Sequence, residues 1–179
     1  AISACEKAAE WQVALGLLAE MRTSRLRPST VSYNAAISAC EKAAEWQVAL
    51  GLLAEMRTSR LRPSTVSYNA AISACEKGCQ WRSALGLLAE MQAVSLDHDT
   101  ISYSAASSAC EKGSQWQLAL GLLAEMPTVR VDPDTVIYSA SISACEKGRE
   151  WQIALGLLAL MPTVRLDPDT VSYSAAISA

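Results

Sequence analysis

The sequence predicts an all-α fold: an α-solenoid of stacked helix-turn-helix repeats, 35 residues each, with a right-handed superhelix expected. Three observations carry this. All five tryptophans stand 35 residues apart, at Trp11, Trp46, Trp81, Trp116 and Trp151, and the methionines and tyrosines keep the same interval. Each period holds two apolar stripes at helical spacing, and a loop that usually contains proline separates one period from the next. A fixed period of about 20 to 50 residues outranks composition as a guide to fold. Such units stack in one dimension, each contacting mainly its neighbours.

The period divides the chain into a single array over 1–179. It comprises a partial repeat at 1–29, complete repeats at 30–64, 65–99, 100–134 and 135–169, and a partial repeat at 170–179. Ala1 to Lys42 is identical to Ala36 to Lys77, the mark of a recent duplication or of a designed consensus. No change of composition marks a linker, and neither end carries a polar cap, so the segment reads as the interior of a longer array.

Within the copy at 30–64, Tyr33, Ile37 and Cys40 fall at i, i+4 and i+7, one face of a first helix. Ser32, just ahead of that stripe, is the expected N-cap. Trp46, Ala49, Leu50 and Leu53 form the stripe of a second helix, with Met56 close to it. The segment "TSRLRPS" follows, and Pro63 closes the hairpin. Pro127 and Pro162 come directly after the methionine, so the second helix should stop there in the later copies. Two features break local rules. Ile137 stands where Ser32, Ser67, Ser102 and Ser172 stand, and a lost cap typically costs about 1 kcal/mol. Gly16, Gly51, Gly86, Gly121 and Gly156 lie inside the second helix, where glycine is about 1 kcal/mol worse than alanine. Recurrence in every copy predicts that these glycines permit close helix packing.

Composition excludes several classes. Five of the six cysteines are one place of the repeat seen five times, too far apart for the roughly 7 Å limit of a disulfide, and read as buried packing in a reducing compartment. Cys75 and Cys79, with His98 as the one histidine, do not make a zinc site. His98 itself, in a loop where other copies have proline, is expected to face solvent. No apolar run approaches the roughly 20 residues of a membrane span. No Ser/His/Asp set, phosphate loop or unique carboxylate cluster is present, so neither enzymatic activity nor a cofactor is expected. The net charge of −3 is unusual for a nucleic-acid binder, but in a solenoid the charge lining the groove decides. Ala1 to Ser64 carries eight basic and six acidic residues, Thr65 to Ala179 seven and twelve, so the amino-terminal part is the more electropositive.

The first helix also has a polar stripe, Asn34, Ser38 and Lys42 at i, i+4 and i+8. Its lysine recurs as Lys7, Lys42, Lys77, Lys112 and Lys147. Lysine at a helix end complements the helix dipole and needs no ligand. The period with "TVSYNAAISACEK", then "ALGLLAEM", then a loop closing in "RPS" or "DPD", resembles the pentatricopeptide repeat proteins over the whole chain. The wording "ACEK…W…ALGLLAEM" is similar to that of dinoflagellate members. Departures are the tryptophan opening the second helix, the mid-helix glycine, and His98 in place of proline.

The resemblance implies binding of single-stranded RNA, one base per repeat, read by two or three side chains. It implies that bases are sandwiched by Val31, Val66, Ile101, Val136 and Val171. It implies base reading by Asn34 with Ser64, Asn69 with Asp99, Ser104 with Asp134, and Ser139 with Asp169. The family's preferences give 5′-CUGG-3′ for these slots. The lysines would face phosphates, and the setting would be a mitochondrion or chloroplast, in RNA processing, stability or translation. Two other readings stand beside it. One is a protein-interaction solenoid of the tetratricopeptide kind, whose period is 34 and whose tryptophan belongs to the first helix. The other is a structural subunit of an organellar assembly without free RNA. Exposed apolar ends also predict head-to-tail self-association.

Overall fold

The structure, a computed structural model, describes Ile2 and residues 10–179. Cys5 and Lys7 lie outside the described residues. Among those described there are ten α-helices and no strand. The helices are α1 (Trp11–Thr23), α2 (Thr30–Lys42), α3 (Trp46–Thr58), α4 (Thr65–Lys77), α5 (Trp81–Ala93), α6 (Thr100–Lys112), α7 (Trp116–Glu125), α8 (Thr135–Gly148), α9 (Trp151–Leu160) and α10 (Thr170–Ser178). They fall into two compact units, Ala1–Asp97 and His98–Ala179. In the first, α2 packs on α1, α3 and α4, and α4 packs on α5. In the second, α8 packs on α6, α7, α9 and α10. Each unit is thus a stack in which a first helix touches its own second helix and the first helix of the next copy.

The first helices begin earlier than the sequence predicts. The N-cap is the last residue of the preceding copy (Ser29, Ser64, Asp99, Asp134 or Asp169), held in an extended conformation after the loop. Ser32 is therefore not the cap but the third helical residue. Its N–H donates to Ser29 Oγ at 3.3 Å, while its own Oγ accepts from the Ser29 N–H at 3.4 Å. This reciprocal pair satisfies two donors that the helix leaves open. Ile137 accordingly removes half of the box and not the cap. Its N–H still donates to Asp134 Oδ1 at 3.0 Å, and the isoleucine side chain is fully buried instead.

The tight turn between helices has one geometry throughout. After α2, the Ala44 N–H donates to Glu41 O at 3.1 Å and the Glu45 N–H to Cys40 O at 2.9 Å. Those two bonds are the Schellman pattern, which needs a left-handed residue. Ala44 supplies it at φ 59°, and Cys79, Ser114 and Arg149 do so in the later copies. Glycine stands one place earlier for a different reason: a Cβ on Gly78 would lie 2.3 Å from Cδ1 of Trp46, whose indole covers it.

Pro127 and Pro162 act as predicted. α7 and α9 end just before the methionine, and Met126–Val129 and Met161–Val164 form 3-10 turns. The mid-helix glycines do not act as predicted. A Cβ built on Gly16, Gly51, Gly86, Gly121 or Gly156 meets nothing within 4 Å, so each faces open space rather than a neighbouring helix.

The copies share most of their core places, although buried Ser107 stands where the copy at 30–64 has Ile37. Tyr33, Ile37, Cys40, Ala49, Leu53 and Met56 are all buried. Burial pushes the thiols of Cys40, Cys75, Cys110 and Cys145 up to about 11, whereas Cys79 is exposed. In the first unit the tyrosine hydroxyls are latched across copies. Arg22 pairs with Glu55, and the Tyr33 hydroxyl accepts from Arg22 and donates to Glu55, both at 3.1 Å. In the next copy Arg57 pairs with Glu90, which also accepts from the Tyr68 hydroxyl at 2.9 Å. Burial and the Glu90 bond raise the Tyr68 hydroxyl to about 12. Leu160 occupies the glutamate's place beside Tyr138. His98 is partly buried, not free in solvent, with its ring edge-on to Tyr103 at 5.5 Å.

Candidate nucleic-acid interface

The polar residue after the tyrosine is the fifth residue of each first helix, one helical turn beyond an exposed apolar residue. Val31, Val66, Ile101, Val136 and Val171 are 70, 58, 60, 54 and 55% exposed, although the tyrosine two places on is buried in the first four of these helices. Nothing in helix formation asks for that. The cap geometry places the last residue of a copy beside the next first helix, and in two copies this joins the members of a predicted pair. Asn34 Nδ2 donates to Ser64 Oγ at 3.4 Å across copies. Ser139 Oγ donates to Asp169 Oδ1 at 3.1 Å.

Each of these pairs has a third member that sequence reasoning did not assign. Ser67 Oγ donates to Asn34 Oδ1 at 2.6 Å, and Ser172 Oγ lies 2.8 Å from Ser139 Oγ. Burial raises the Asp169 carboxyl, but hydrogen bonds from the Ser172 hydroxyl, the Ser172 N–H and Ser139 outweigh it, and the group ends below its ordinary value. In the copy between them, Ser104 Oγ donates to Thr100 O at 2.7 Å and Asp134 accepts the Ile137 N–H. Asn69 and Asp99 each lie half-buried at the start of their helix.

The lysines stand at the far end of the same helices. Lys77 pairs with Glu41 of the preceding copy at 2.5 Å, and Lys147 pairs with Glu111, also donating to the Glu111 carbonyl at 3.2 Å. The glutamate of each "CEK" was the visible signal for this, since it recurs at the same period. Lys42 and Lys112 are exposed. Among the described residues no group of acidic, histidine or cysteine side chains could hold a metal, and no helix is long and apolar enough to cross a membrane.

Three repeat models match the chain: "Pentatricopeptide repeat domain" over 2–43, "PPR repeat family" over 28–77, and "PPR repeat" over 66–95. Together they span more than half of it, and the chain belongs to the pentatricopeptide repeat family. No curated protein matches it. Among solved structures, the PPR domain of Arabidopsis thaliana protein-only RNase P 1, in complex with tRNA, is similar at TM-score 0.82 and 17% identity, covering 97% of this chain and 91% of that one. PPR10 in complex with an 18-nt psaJ RNA element is similar at TM-score 0.81 and 24% identity, over 99% of this chain and 26% of that one. PPR10 from maize is similar at TM-score 0.73 and 22% identity, over 99% of this chain and 25% of that one. The chain therefore spans about a quarter of PPR10. These likenesses establish the fold, an α-solenoid of helical hairpins.

Proposed function

We propose that this array binds single-stranded RNA, one base to each of the pairs Asn34–Ser64, Asn69–Asp99, Ser104–Asp134 and Ser139–Asp169. The observation that carries the reading is the joining of side chains from successive copies, Asn34 to Ser64 and Ser139 to Asp169, next to valines left exposed. Polar atoms beside projecting apolar side chains suit a base, which offers an apolar face for stacking and a polar edge for hydrogen bonds. Asp accepts only, which fits the ring N–H of uracil or guanine, and serine can donate to cytosine or adenine. Asn, longer than Ser, leaves room for a pyrimidine; Ser leaves room for a purine. The order read from the amino end is 5′-CUGG-3′. Two of the similar solved structures hold RNA, and in the RNase P protein the similarity is to its PPR domain.

The lysines would meet phosphates, and the protein would act by occupying RNA in a mitochondrion or chloroplast: protecting an end, opening a hairpin or guiding a partner. No chemical step is assigned to the repeats. Exposed Trp151, Tyr173 and Ile177 favour head-to-tail association at high concentration, which light scattering would register as a mass that rises with concentration.

The test is fluorescence anisotropy of labelled RNA containing CUGG against a CCAA control at two salt concentrations. Preference for CUGG that weakens with salt supports the reading. Equal, weak binding to both would favour a protein-facing scaffold. Asn69→Ser should move the preference at the second base from uracil toward guanine; no movement would remove the assigned pairing.

A further inference from the structure

At two of the base-facing pairs the third residue of the following first helix is a serine that fixes the direction of the hydrogen bonds. At the Asn34–Ser64 pair the chain of donors starts from a group that cannot reverse. The Ser64 backbone N–H donates to Ser67 Oγ at 3.0 Å, and of the two acceptors then open to the Ser67 proton, Asn34 Oδ1 at 2.6 Å is nearer than Ser64 Oγ at 3.2 Å. With Oδ1 occupied, the amide is held with Nδ2 outward; one N–H reaches Ser64 Oγ and the other is left for a ligand. Ser67 is fully buried, which strengthens these bonds against water.

The Ser139–Asp169 pair has the same device with the opposite result. Ser172 donates to Asp169 Oδ1 at 2.7 Å, so its lone pairs face Ser139 at 2.8 Å. The single Ser139 proton then has only inward acceptors: Ser172, Asp169 at 3.1 Å and Thr135 O at 2.8 Å. The hydroxyl and carboxylate together present an acceptor face outward. At the Ser104–Asp134 pair, which has the same two side-chain types, the third residue is Ile137. It is fully buried and has no hydroxyl to give. Ser104 bonds the carbonyl of its own helix, and no serine directs its proton.

We propose that the third residue of the following first helix, namely Ser67, Ile137 or Ser172, is a positioning residue for base choice. Ser67 and Ser172 lock their pairs in one hydrogen-bonding direction, Ser102 gives its proton to the Asp99 carbonyl at 2.8 Å instead, and Ile137 leaves the Ser104–Asp134 pair unlocked. The inference rests on the RNA reading above. Its consequence is that two slots with identical base-facing residues differ. The locked Ser139–Asp169 slot, presenting acceptors, selects guanine, whose ring edge donates, over adenine. In the unlocked slot the Ser104 hydroxyl exchanges its bond to the Thr100 carbonyl for one to a base, giving or accepting, and the slot takes both.

The experiment is anisotropy with RNAs carrying G or A opposite each of the two slots, on the native chain and on Ile137→Ser, Ile137→Thr and Ser172→Ala, with helicity checked by circular dichroism. The guanine-to-adenine ratio should be larger at the Ser139–Asp169 slot by roughly three- to tenfold, the worth of one hydrogen bond. Ile137→Ser should raise the ratio at its own slot by a similar factor, leaving affinity for the guanine RNA within about twofold, by the same bond strength. Ile137→Thr retains the branched shape and gives the same result should the serine variant not fold. Ser172→Ala should lower the ratio at the other slot. A purely packing role would move melting or overall affinity without moving either ratio. Folded variants that bind selectively but leave the Ser104–Asp134 ratio unchanged would overturn the inference alone; failure of the native chain to bind any RNA would overturn the RNA reading, and the inference with it.

Discussion

Tyr33 and Tyr138 fill the same place in two copies, both buried, but their hydroxyls meet different surroundings. Tyr33 sits between Arg22 and Glu55, whereas Leu160 stands where Tyr138 would need a carboxylate. Tyr33→Phe should therefore destabilise the fold by about 1 kcal/mol, while Tyr138→Phe should be close to neutral, as chemical denaturation would measure. The burial of the tyrosine was legible in its stripe. Its partners were not, because Arg22 and Glu55 belong to different copies and no local pattern joins them. The mid-helix glycines show the reverse error: recurrence suggested close packing, but periodicity alone does not say what faces a position, and the space beside each is open. Thiols follow burial directly. Cys79 should react with a thiol reagent in the native protein well ahead of Cys40, Cys75, Cys110 and Cys145, which mass spectrometry of the labelled peptides would show.

At the level of the element, helix existence and the Pro127 and Pro162 stops were plain in the sequence, and the first helix's start was misplaced by three residues. Ser, Thr and Asp cluster around that start, and composition cannot say which residue leaves the helical conformation; the extended backbone after the loop decides it. The turn holds a further cost. Ala44 adopts the left-handed conformation at φ 59°, where glycine is at home. Ala44→Gly should stabilise the protein by about 1 kcal/mol, read as a rise in melting temperature. The buried cysteines give the first helices a pH dependence. Their thiols ionise near 11 when folded against about 9 unfolded, so the folded state holds its protons longer. The thiol contribution to stability should thus be constant below pH 9 and fall as pH rises from about 9 to 11, which alkaline melting curves would reveal.

At the level of the molecule, the repeat and the family were legible because every copy restates them, while the ion pairing of the lysines was not. Lys77 and Lys147 are tied to Glu41 and Glu111, so an incoming phosphate would have to displace a carboxylate. The fall of affinity with salt should then be shallower than five lysines would give at about 0.7 per phosphate. Glu41→Gln and Glu111→Gln together should tighten RNA binding a few-fold, roughly the worth of exposed ion pairs; anisotropy titrations across salt would measure both. The capping residues set a further bound. Ser64, Asp99, Asp134 and Asp169 each begin a helix and also stand in the proposed reading position. A place that must satisfy both tasks can vary only among the few short polar residues able to start a helix. The recognition alphabet of such an array is thereby limited by its folding, and a change of target written at these places is confined to spellings that the helix can accept.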